Sequence, residues 1–474
     1  MRALCFHLEE KKSFIFAFVR ISDKTDCMTI QRTTSWLFLV FLCLPSVAQV
    51  KKGNEVIKKG WNIGALPALT YDADLGIQYG AFGNLYDYGD GSRYPEYDHS
   101  FYLEVSRYTK GSAVYRFSYD SDQLIRGLRI SMDLSYLTDR TYDFYGFNGY
   151  DAVYNESWTD DDAPDYKTRA FYKYDRKLFR WKIDLQGKLH GNNLRWIAGM
   201  NLLSFQIGPV DVDKLNKGKN DQDKLPYTDG LYDQYVQWGI ISEEEADGGF
   251  IPAFKTGLVL DTRDNRPNPM KGVWSEAVIL ASPKMLGAGS SFSRISLTHR
   301  QYFTLVPNDL SLAYRLDWQT ALGGHVPFYY ESQVITSVMK GSSSEGLGGS
   351  KTLRGILRNR VVGNGIFFGN VELRWKFARF QWHNNNFYLG WNGFTDFGKV
   401  TRKIPVHAGA FDEYSLGSDP KNYFDPGSEK MHFSFGTGLR VAMNENFIVA
   451  FDYGIAADSR DGDSGLYMGL NYLF

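Results

Sequence analysis

Apolar and polar residues alternate with a period of two along much of the chain, which is the pattern of β-strands with two different faces. In segment 179–189 the apolar positions are Phe179, Trp181, Ile183, Leu185 and Leu189, and the polar positions between them are Arg180, Lys182, Asp184, Gln186 and Lys188. Segments 128–136 and 312–322 alternate in the same way. These runs reach about ten residues, as a tilted membrane-crossing strand requires, whereas soluble strands are typically about 5–6 residues long. The alternation therefore predicts membrane strands, with a soluble sandwich or propeller as the alternative.

Counting such segments predicts an all-β fold, a sixteen-stranded antiparallel transmembrane β-barrel over residues 61–474. The predicted strands are 61–70, 74–86, 99–109, 112–121, 127–137, 167–190, 193–207, 251–262, 272–282, 291–305, 309–322, 365–377, 386–398, 431–443, 446–456 and 465–474. If the last strand ends in the periplasm, the long connections 138–166, 208–250, 323–364 and 399–430 all lie outside the cell. The opposite turns are short apart from 87–98, and this asymmetry is typical of outer-membrane barrels.

The first 48 residues form a leader that we expect to be removed. Residues 1–27 fit no signal pattern, but Met28 begins one, with an apolar run at Trp36–Val47 and a small-residue cleavage site at Ser46-Val47-Ala48. The true start is therefore expected at Met28. Residues 49–60 are then a short periplasmic segment before the barrel, and no soluble N-terminal domain is expected.

All three cysteines (Cys5, Cys27 and Cys43) lie in this leader. Residues 49–474 therefore offer no disulfide, thiolate metal site or cysteine nucleophile. A lipoprotein alternative would use Cys43 as its lipidated residue, but Phe41-Leu42 before it lacks the small residue of a lipobox. A secreted chain without cysteine needs another means of holding itself together, and closed strand pairing would provide it.

The remaining composition excludes several classes of function. A net charge of −1 gives no electrostatic case for nucleic acid binding. Aromatic residues make up 16% of the chain and the mean hydropathy is −0.35, which suits a barrel whose strands meet lipid on one face and water on the other. No apolar run after residue 48 is long enough for a transmembrane helix.

The sequence also predicts that the chain is not an enzyme and holds neither a cofactor nor a metal. No Gly-x-Ser-x-Gly, P-loop or His-Glu-x-x-His motif occurs, and the histidines are scattered. The acidic run Asp458–Asp463 could bind calcium. A solvated hairpin tip is the preferred interpretation of that run.

The chain ends in a segment that resembles the C-terminal signal of outer-membrane barrels, formed by Gly469, Tyr472 and Phe474. Alternation predicts that Leu470, Tyr472 and Phe474 share the lipid face of the last strand, where a terminal aromatic suits the interfacial girdle. The alternative is an ordinary edge strand.

Three further motifs narrow the type of barrel. Leu353-Arg354-Gly355, with Gly348 and Gly349 before it, looks like the tip of the sixth extracellular loop in the BamA/TamA superfamily of bacterial surface-antigen-type barrels. The segment 261–272 is similar to that family's turn between its eighth and ninth strands, through Asp261, Arg263, Asp264, Asn265, Pro269 and Gly272. Phe394-Thr395-Asp396-Phe397-Gly398 resembles the family's F-x-D-x-G strand end. The resemblance is clearest over 250–474, and over 60–250 it rests on the strand count.

This resemblance implies that the sixth loop folds inward and that Arg354 pairs in the lumen with Glu372 and Asp396. Alternation independently puts both carboxylates opposite the apolar face of their strands. Two interpretations stay open: a latch that couples the loop to the barrel seam, or a stabilising ion pair without regulated motion. The seam itself, between the first and last strands, either opens or is plainly closed. Pro67 in the first strand fits a weakly paired edge.

The implied function is a non-enzymatic assembly or translocation barrel of the bacterial outer membrane, in a form without the family's periplasmic POTRA domains. The implied partners are outer-membrane lipid, separate periplasmic or lipoprotein partners, and unfolded barrel clients, with no nucleic acid. A passive porin-like channel and a structural scaffold within an envelope complex are the alternatives.

Overall fold

The computed structural model describes residues 55–72, 76–191, 193–337, 346–406 and 419–474. The predicted leader and its cleavage site lie outside these ranges. The described residues form one sheet of sixteen antiparallel strands, each hydrogen-bonded to the next in chain order. The predicted all-β, sixteen-stranded antiparallel fold is therefore confirmed.

The strands are β1 (Trp61–Asp72), β2 (Gly76–Asp87), β3 (His99–Tyr108), β4 (Ala113–Ile125), β5 (Leu128–Asp143), β6 (Lys173–His190), β7 (Leu194–Gly208), β8 (Gly248–Asp261), β9 (Gly272–Ser282), β10 (Phe292–Val306), β11 (Leu310–Gly324), β12 (Gly365–Trp382), β13 (Asn385–Arg402), β14 (His432–Met443), β15 (Phe447–Ala456) and β16 (Ser464–Leu470). β6 begins six residues later than predicted and β16 ends four residues earlier. β5 and β12 extend six and five residues beyond their predicted ends, and β4 and β13 extend four residues. Lys167 lies in the connection before β6, where its backbone N–H donates to the carbonyl of Trp158 at 3.0 Å.

The two faces of the sheet are the reverse of those in a soluble protein. Arg180 and Asp184 of β6 are 2% and 1% exposed, whereas Phe179 and Trp181 on the other face are 42% and 36% exposed. The buried charges are paired, since Arg180 contacts Asp133 at 2.8 Å. We call the face with these charges the inner face. An apolar outer face over a paired polar interior suits a barrel in lipid rather than a soluble sandwich.

The edges of the sheet, β1 and β16, are joined by no ladder among the described residues. Both edges nevertheless lie close to the β14–β15 hairpin. A Cβ placed on Gly64 of β1 would lie 2.5 Å from Cγ of Phe447 in β15, and the Tyr86 hydroxyl donates to the carbonyl of Asn446 at 2.8 Å. The sheet therefore curves until its first two strands contact the β14–β15 hairpin.

Four long connections follow β5, β7, β11 and β13, so they lie at one end of the sheet, as predicted. They carry the short helices α1 (Val212–Asn216), α2 (Leu231–Gln237), α3 (Glu243–Ala246) and α4 (Phe328–Glu331). Each of the four connections contributes buried aromatic rings to one hydrophobic cluster, including Phe147, Tyr235, Phe328 and Phe424. In the described part of the chain, no helix has the length and apolarity needed to span a bilayer.

Candidate functional site

Arg354 lies in the connection between β11 and β12, and its side chain is fully buried. Its Nε and Nη2 each donate to Asp396 of β13 at 2.9 Å, and its Nη1 lies 2.7 Å from Oε1 of Glu372 in β12. The guanidinium also lies over Phe394, 3.5 Å from the ring centroid. Burial disfavours the charged guanidinium, but Asp396 and Glu372 outweigh it and raise the pKa of Arg354 above its usual range. The structure thus brings the three predicted residues into contact.

Three residues that the sequence analysis did not single out complete this charge network. Asp452 of β15 lies 3.6 Å from Nη1 of Arg354 and accepts hydrogen bonds from Arg440 at 2.9 and 3.0 Å. Arg374 donates to Glu372 at 2.7 Å. Three carboxylates therefore face three guanidiniums, and the buried charges balance. Alternation places each of these residues on the inner face, but it carries no signal for which strands meet across the interior.

Gly355 allows the backbone of the loop to touch the sheet directly. Its φ is +93°, and a Cβ there would lie 2.6 Å from the carbonyl carbon of Gly454 in β15. Its N–H donates to the Tyr467 hydroxyl of β16 at 3.0 Å. Any larger residue at position 355 would push the loop away from β15 and β16.

The other predicted loop residues shape the turn before Arg354. Gly348 and Gly349 have φ values of +112° and +77°, which favour glycine. The Gly348 N–H donates to the Thr352 hydroxyl at 2.9 Å, and Leu353 is fully buried in a cluster with Phe368 of β12. The motif therefore builds a compact turn that presents Arg354 to the wall.

The beginning of the same connection contacts the opposite part of the sheet. Lys255 of β8 donates to the carbonyl of Thr336 at 2.8 Å, and the N–H of Ser337 donates to Glu276 of β9 at 2.8 Å. Ser296 of β10 donates to the carbonyl of Ile335 at 2.8 Å. The connection therefore lies against the inner face of β8 to β10 as well as of β12, β13, β15 and β16.

The predicted turn motif forms the connection between β8 and β9 and stabilises itself. Asp261 accepts from Nε and Nη2 of Arg263 at 2.8 and 2.9 Å. Asp264 accepts from the N–H groups of Met270 and Lys271 at 3.0 and 3.2 Å, and Asn265 accepts from that of Asn268 at 3.3 Å. Pro269 lies in the same turn, and Gly272 has a φ of +107°. Within the described ranges, no hydrogen bond or ion pair joins this turn to Arg354.

The C-terminal segment departs from the prediction. Gly469 lies in β16, but Tyr472 and Phe474 are 6% and 7% exposed and do not face lipid. Asn471 adopts a φ of +68°, which turns the chain after Leu470. The Tyr472 and Phe474 rings then stack on Arg374, with its guanidinium carbon 4.5 and 4.7 Å from their centroids. The lipid-face prediction was wrong because it assumed that the strand continues to residue 474.

The interpretation of Asp458–Asp463 as a solvated tip was wrong for Asp461, because the side chain of Asp461 is fully buried. Its Oδ1 lies 2.7 Å from Nδ1 of His432, and its Oδ2 accepts from the Tyr150 hydroxyl at 2.6 Å. Glu429 lies 3.2 Å from Nε2 of the same histidine. Connections far apart in the sequence meet here, which residue spacing does not reveal. Elsewhere, Asp160, Asp161 and Asp162 form an exposed acidic group, which by itself does not indicate a metal site.

A family comparison decides the type of barrel. The Omp85 superfamily domain matches residues 126–474. The chain belongs to the Omp85 superfamily. This membership confirms the predicted resemblance and the outer-membrane location. The match also begins well before residue 250, from which the motifs had made the resemblance clearest.

Solved structures of bacterial proteins resemble the chain at low identity. BamA from Haemophilus ducreyi lacking POTRA domains 1-3 is 14% identical, with 93% of this chain and 77% of that chain covered and a TM-score of 0.47. CdiB from Escherichia coli is 10% identical, with 87% and 62% covered and a TM-score of 0.50. CdiB from Acinetobacter baumannii is 14% identical, with 88% and 60% covered and a TM-score of 0.42. No curated protein matches the chain, and at this identity the likeness to the Escherichia coli protein concerns the fold alone.

Proposed function

We propose that this Omp85 barrel is a non-enzymatic assembly or translocation factor that engages unfolded barrel clients at the seam between β1 and β16. The observation that carries the proposal is the absence of a ladder between these two strands in the described residues. An unpaired strand edge presents N–H and C=O groups with which another strand can pair. β16 is also short, with seven residues, which limits how firmly the sheet can be closed. Separate periplasmic or lipoprotein partners deliver the clients in this proposal.

Within this function, Arg354 acts as a latch between the loop and the seam. Its side chain binds β12 and β13, and the next residue, Gly355, donates to Tyr467 of β16 at 3.0 Å. Moving the loop would therefore remove a contact from the strand that borders the seam. This link favours the latch over an ion pair that stabilises the wall alone.

The loop contacts argue against a passive porin. The connection between β11 and β12 touches the inner face on both sides of the curved sheet, so it occupies space through which solutes would pass. If Arg354 holds it there, wild-type barrels in a planar bilayer conduct weakly, and Arg354→Ala raises the conductance. A large steady pore in the wild type would support the porin instead.

A reconstitution assay tests the assembly function directly. The purified full chain is inserted into lipid vesicles, and a urea-denatured outer-membrane barrel is added as the client. We expect the folded client, scored by its shifted gel mobility, to appear faster than in vesicles without the chain. Purified partners recovered by cross-linking in the native membrane would be added in a second arm. Equal client folding with and without the chain in both arms would leave the scaffold as the better account.

A further inference from the structure

A second group of cations lies on the inner face, outside the Arg354 network. Arg300 of β10 and Arg315 of β11 are direct cross-strand partners, and both are buried. Like charges directly opposite each other destabilise a sheet. A pair of buried arginines in this position therefore needs negative charge nearby.

The protein supplies these arginines with neutral partners. Arg315 donates to the Asn370 side-chain oxygen at 2.8 Å and to the backbone carbonyl of Lys351 at 3.1 Å. The Arg300 guanidinium carbon lies 4.4 Å from the Trp274 ring centroid, and its buried Nε has no hydrogen-bond partner in the described chain. None of Arg300, Arg315 and Lys351 forms an ion pair with a described carboxylate.

The acids nearest in the ladder are bound elsewhere. Asp317 accepts a hydrogen bond from Thr298 at 2.5 Å, and Glu276 accepts one from the N–H of Ser337 at 2.8 Å. They reduce the local excess of positive charge without contacting either arginine. In the Arg354 network, by contrast, each guanidinium has a carboxylate partner.

Arg300, Arg315 and Lys351 line one cavity, which has a volume of about 120 Å³ and is partly open to solvent. Six of the described residues that line it are cations, and the acidic groups among them are Asp317 and the terminal carboxyl group of Phe474, whose oxygen accepts a hydrogen bond from Arg374 at 3.1 Å. The other three cations are already paired: Arg129 with Asp120 at 2.9 Å, Arg263 with Asp261 at 2.8 Å and Arg266 with Asp122 at 3.3 Å. Burial lowers the pKa of Lys351 to about 8; Arg116 and Arg440 act in the same direction, and Asp452 and Glu104 oppose them.

We propose that this cavity is a binding site for a phosphate-class oxyanion, held between Arg300, Arg315 and Lys351. Two guanidinium forks and one ammonium match the several acceptor oxygens of such an anion. Arg266 and Pro267 of the β8–β9 turn also line the cavity, so the cavity reaches the end of the sheet that carries this turn. The anion is either a soluble phosphate or the phosphate of a lipid headgroup.

The site connects three parts of the molecule. Arg315 belongs to the wall, Lys351 lies three residues before Arg354 in the loop, and the Phe474 ring of the C-terminal tail lies 5.3 Å from the Arg315 guanidinium. A bound oxyanion would tie the wall to the loop and the tail at one point. This inference stands independently of the assembly proposal.

Calorimetric titration of the full chain in detergent tests the site, with inorganic phosphate and pyrophosphate as probes and chloride at equal ionic strength as reference. We expect phosphate or pyrophosphate to bind, and the paired substitutions Arg300→Gln and Arg315→Gln to weaken binding at least about tenfold, because two of three cationic ligands are lost. Lys284→Gln removes an exposed charge at the opposite end and should leave the affinity unchanged. Unaltered affinity in the double variant would overturn the proposal.

A second arm identifies the source of the anion. The chain is placed in vesicles of phosphatidylcholine with or without phosphatidic acid, and the melting temperature is measured with and without soluble phosphate. If phosphatidic acid raises the melting temperature and soluble phosphate raises it no further, the anion is a lipid headgroup. If soluble phosphate raises the melting temperature in pure phosphatidylcholine, the anion is a free phosphate. Loss of either effect on Arg300→Gln supports the site even if the double variant fails to fold. Failure of both anions to stabilise the wild type beyond chloride would overturn it.

Discussion

Asp396 accepts three hydrogen bonds from Arg354, from Nε and Nη2 at 2.9 Å each and from the backbone N–H at 3.0 Å. Glu372, by contrast, shares its charge between Arg354 and Arg374. The two predicted carboxylates are therefore unequal. Asp396 fixes both the side chain and the backbone of the loop, whereas Glu372 joins two guanidiniums in the wall.

We therefore expect Asp396→Asn to destabilise the barrel more than Glu372→Gln. Removing one partner of a buried pair typically costs about 3–5 kcal/mol, because the remaining charge stays buried. Urea unfolding of the purified chain in detergent measures the difference. Asp425→Asn, at an exposed position of the β13–β14 connection, is the matched control and should have little effect. A greater loss of stability in Glu372→Gln than in Asp396→Asn would show that Glu372, and not Asp396, is the main acceptor.

The position of Arg354 also requires its forked shape. We expect Arg354→Lys to keep the charge but lose the paired contacts with Asp396, since lysine is a point charge on a flexible stem. Protease accessibility of the loop in intact vesicles should rise in this variant nearly as much as in Arg354→Ala. Wild-type protection in the lysine variant would show that charge alone holds the loop.

The C-terminal tail is expected to lie inside the barrel. Residues 49–474 contain no cysteine, so single spin labels can be placed at Met468→Cys and at Tyr472→Cys. Met468 is 42% exposed and Tyr472 is 6% exposed. Oxygen dissolved in the lipid should relax the label at 468 strongly and the label at 472 weakly. Equal relaxation at both positions would mean that β16 continues along the lipid face.

Glu331 in α4 makes stability depend on pH. Burial raises the pKa of its carboxyl from 4.5 to about 7 against the opposing effect of Arg294; His325 and Arg402 also favour its ionised form, and Glu245 disfavours it. Between these two pKa values the Glu331 carboxyl stays protonated in the folded state but is ionised in the unfolded chain. The free energy of unfolding should therefore fall, by at most about 3 kcal/mol, as pH rises from 4.5 to about 7.

Urea unfolding at several pH values between 4.5 and 8 measures this slope. Glu331→Gln cannot ionise, so its free energy of unfolding should change less across the same window. Glu243→Gln, an exposed neighbour in α3, serves as the control and should keep the wild-type slope. An unchanged slope in Glu331→Gln would assign the pH dependence to other groups.

Much of the architecture follows from the sequence because a barrel strand has a strict period of two. That period located the sixteen strands and placed Glu372 and Asp396 on the same face as the buried Arg180. The partner of these carboxylates came from the family resemblance of Leu353-Arg354-Gly355, since alternation does not say where a long loop folds.

The parts that the sequence did not reveal depend on local turns and on distant contacts. The φ of +68° at Asn471 ends β16, and nothing in the alternation around it signals that turn. Asp452 and Tyr467 meet the loop only because the sheet curves round it. Asp461 lies in the connection between β15 and β16, whereas His432 begins β14, so their contact depends on how strands and connections meet at that end of the sheet.

In our proposal the barrel works at the seam between β1 and β16. A Cβ on Gly64 would lie 2.5 Å from Cγ of Phe447, so the paired substitutions Gly64→Cys and Phe447→Cys are placed to form a disulfide that ties β1 to β15. Ala81→Cys with Val105→Cys, cross-strand partners of β2 and β3, is the control within the continuous wall.

The decisive measurement is the rate of client folding in vesicles for both disulfide variants, before and after reduction. We predict that the oxidised 64–447 variant loses client folding and regains it on reduction, while the 81–105 variant is active in both states. Full activity of the oxidised 64–447 variant, with the disulfide verified by mass spectrometry, would contradict a working seam.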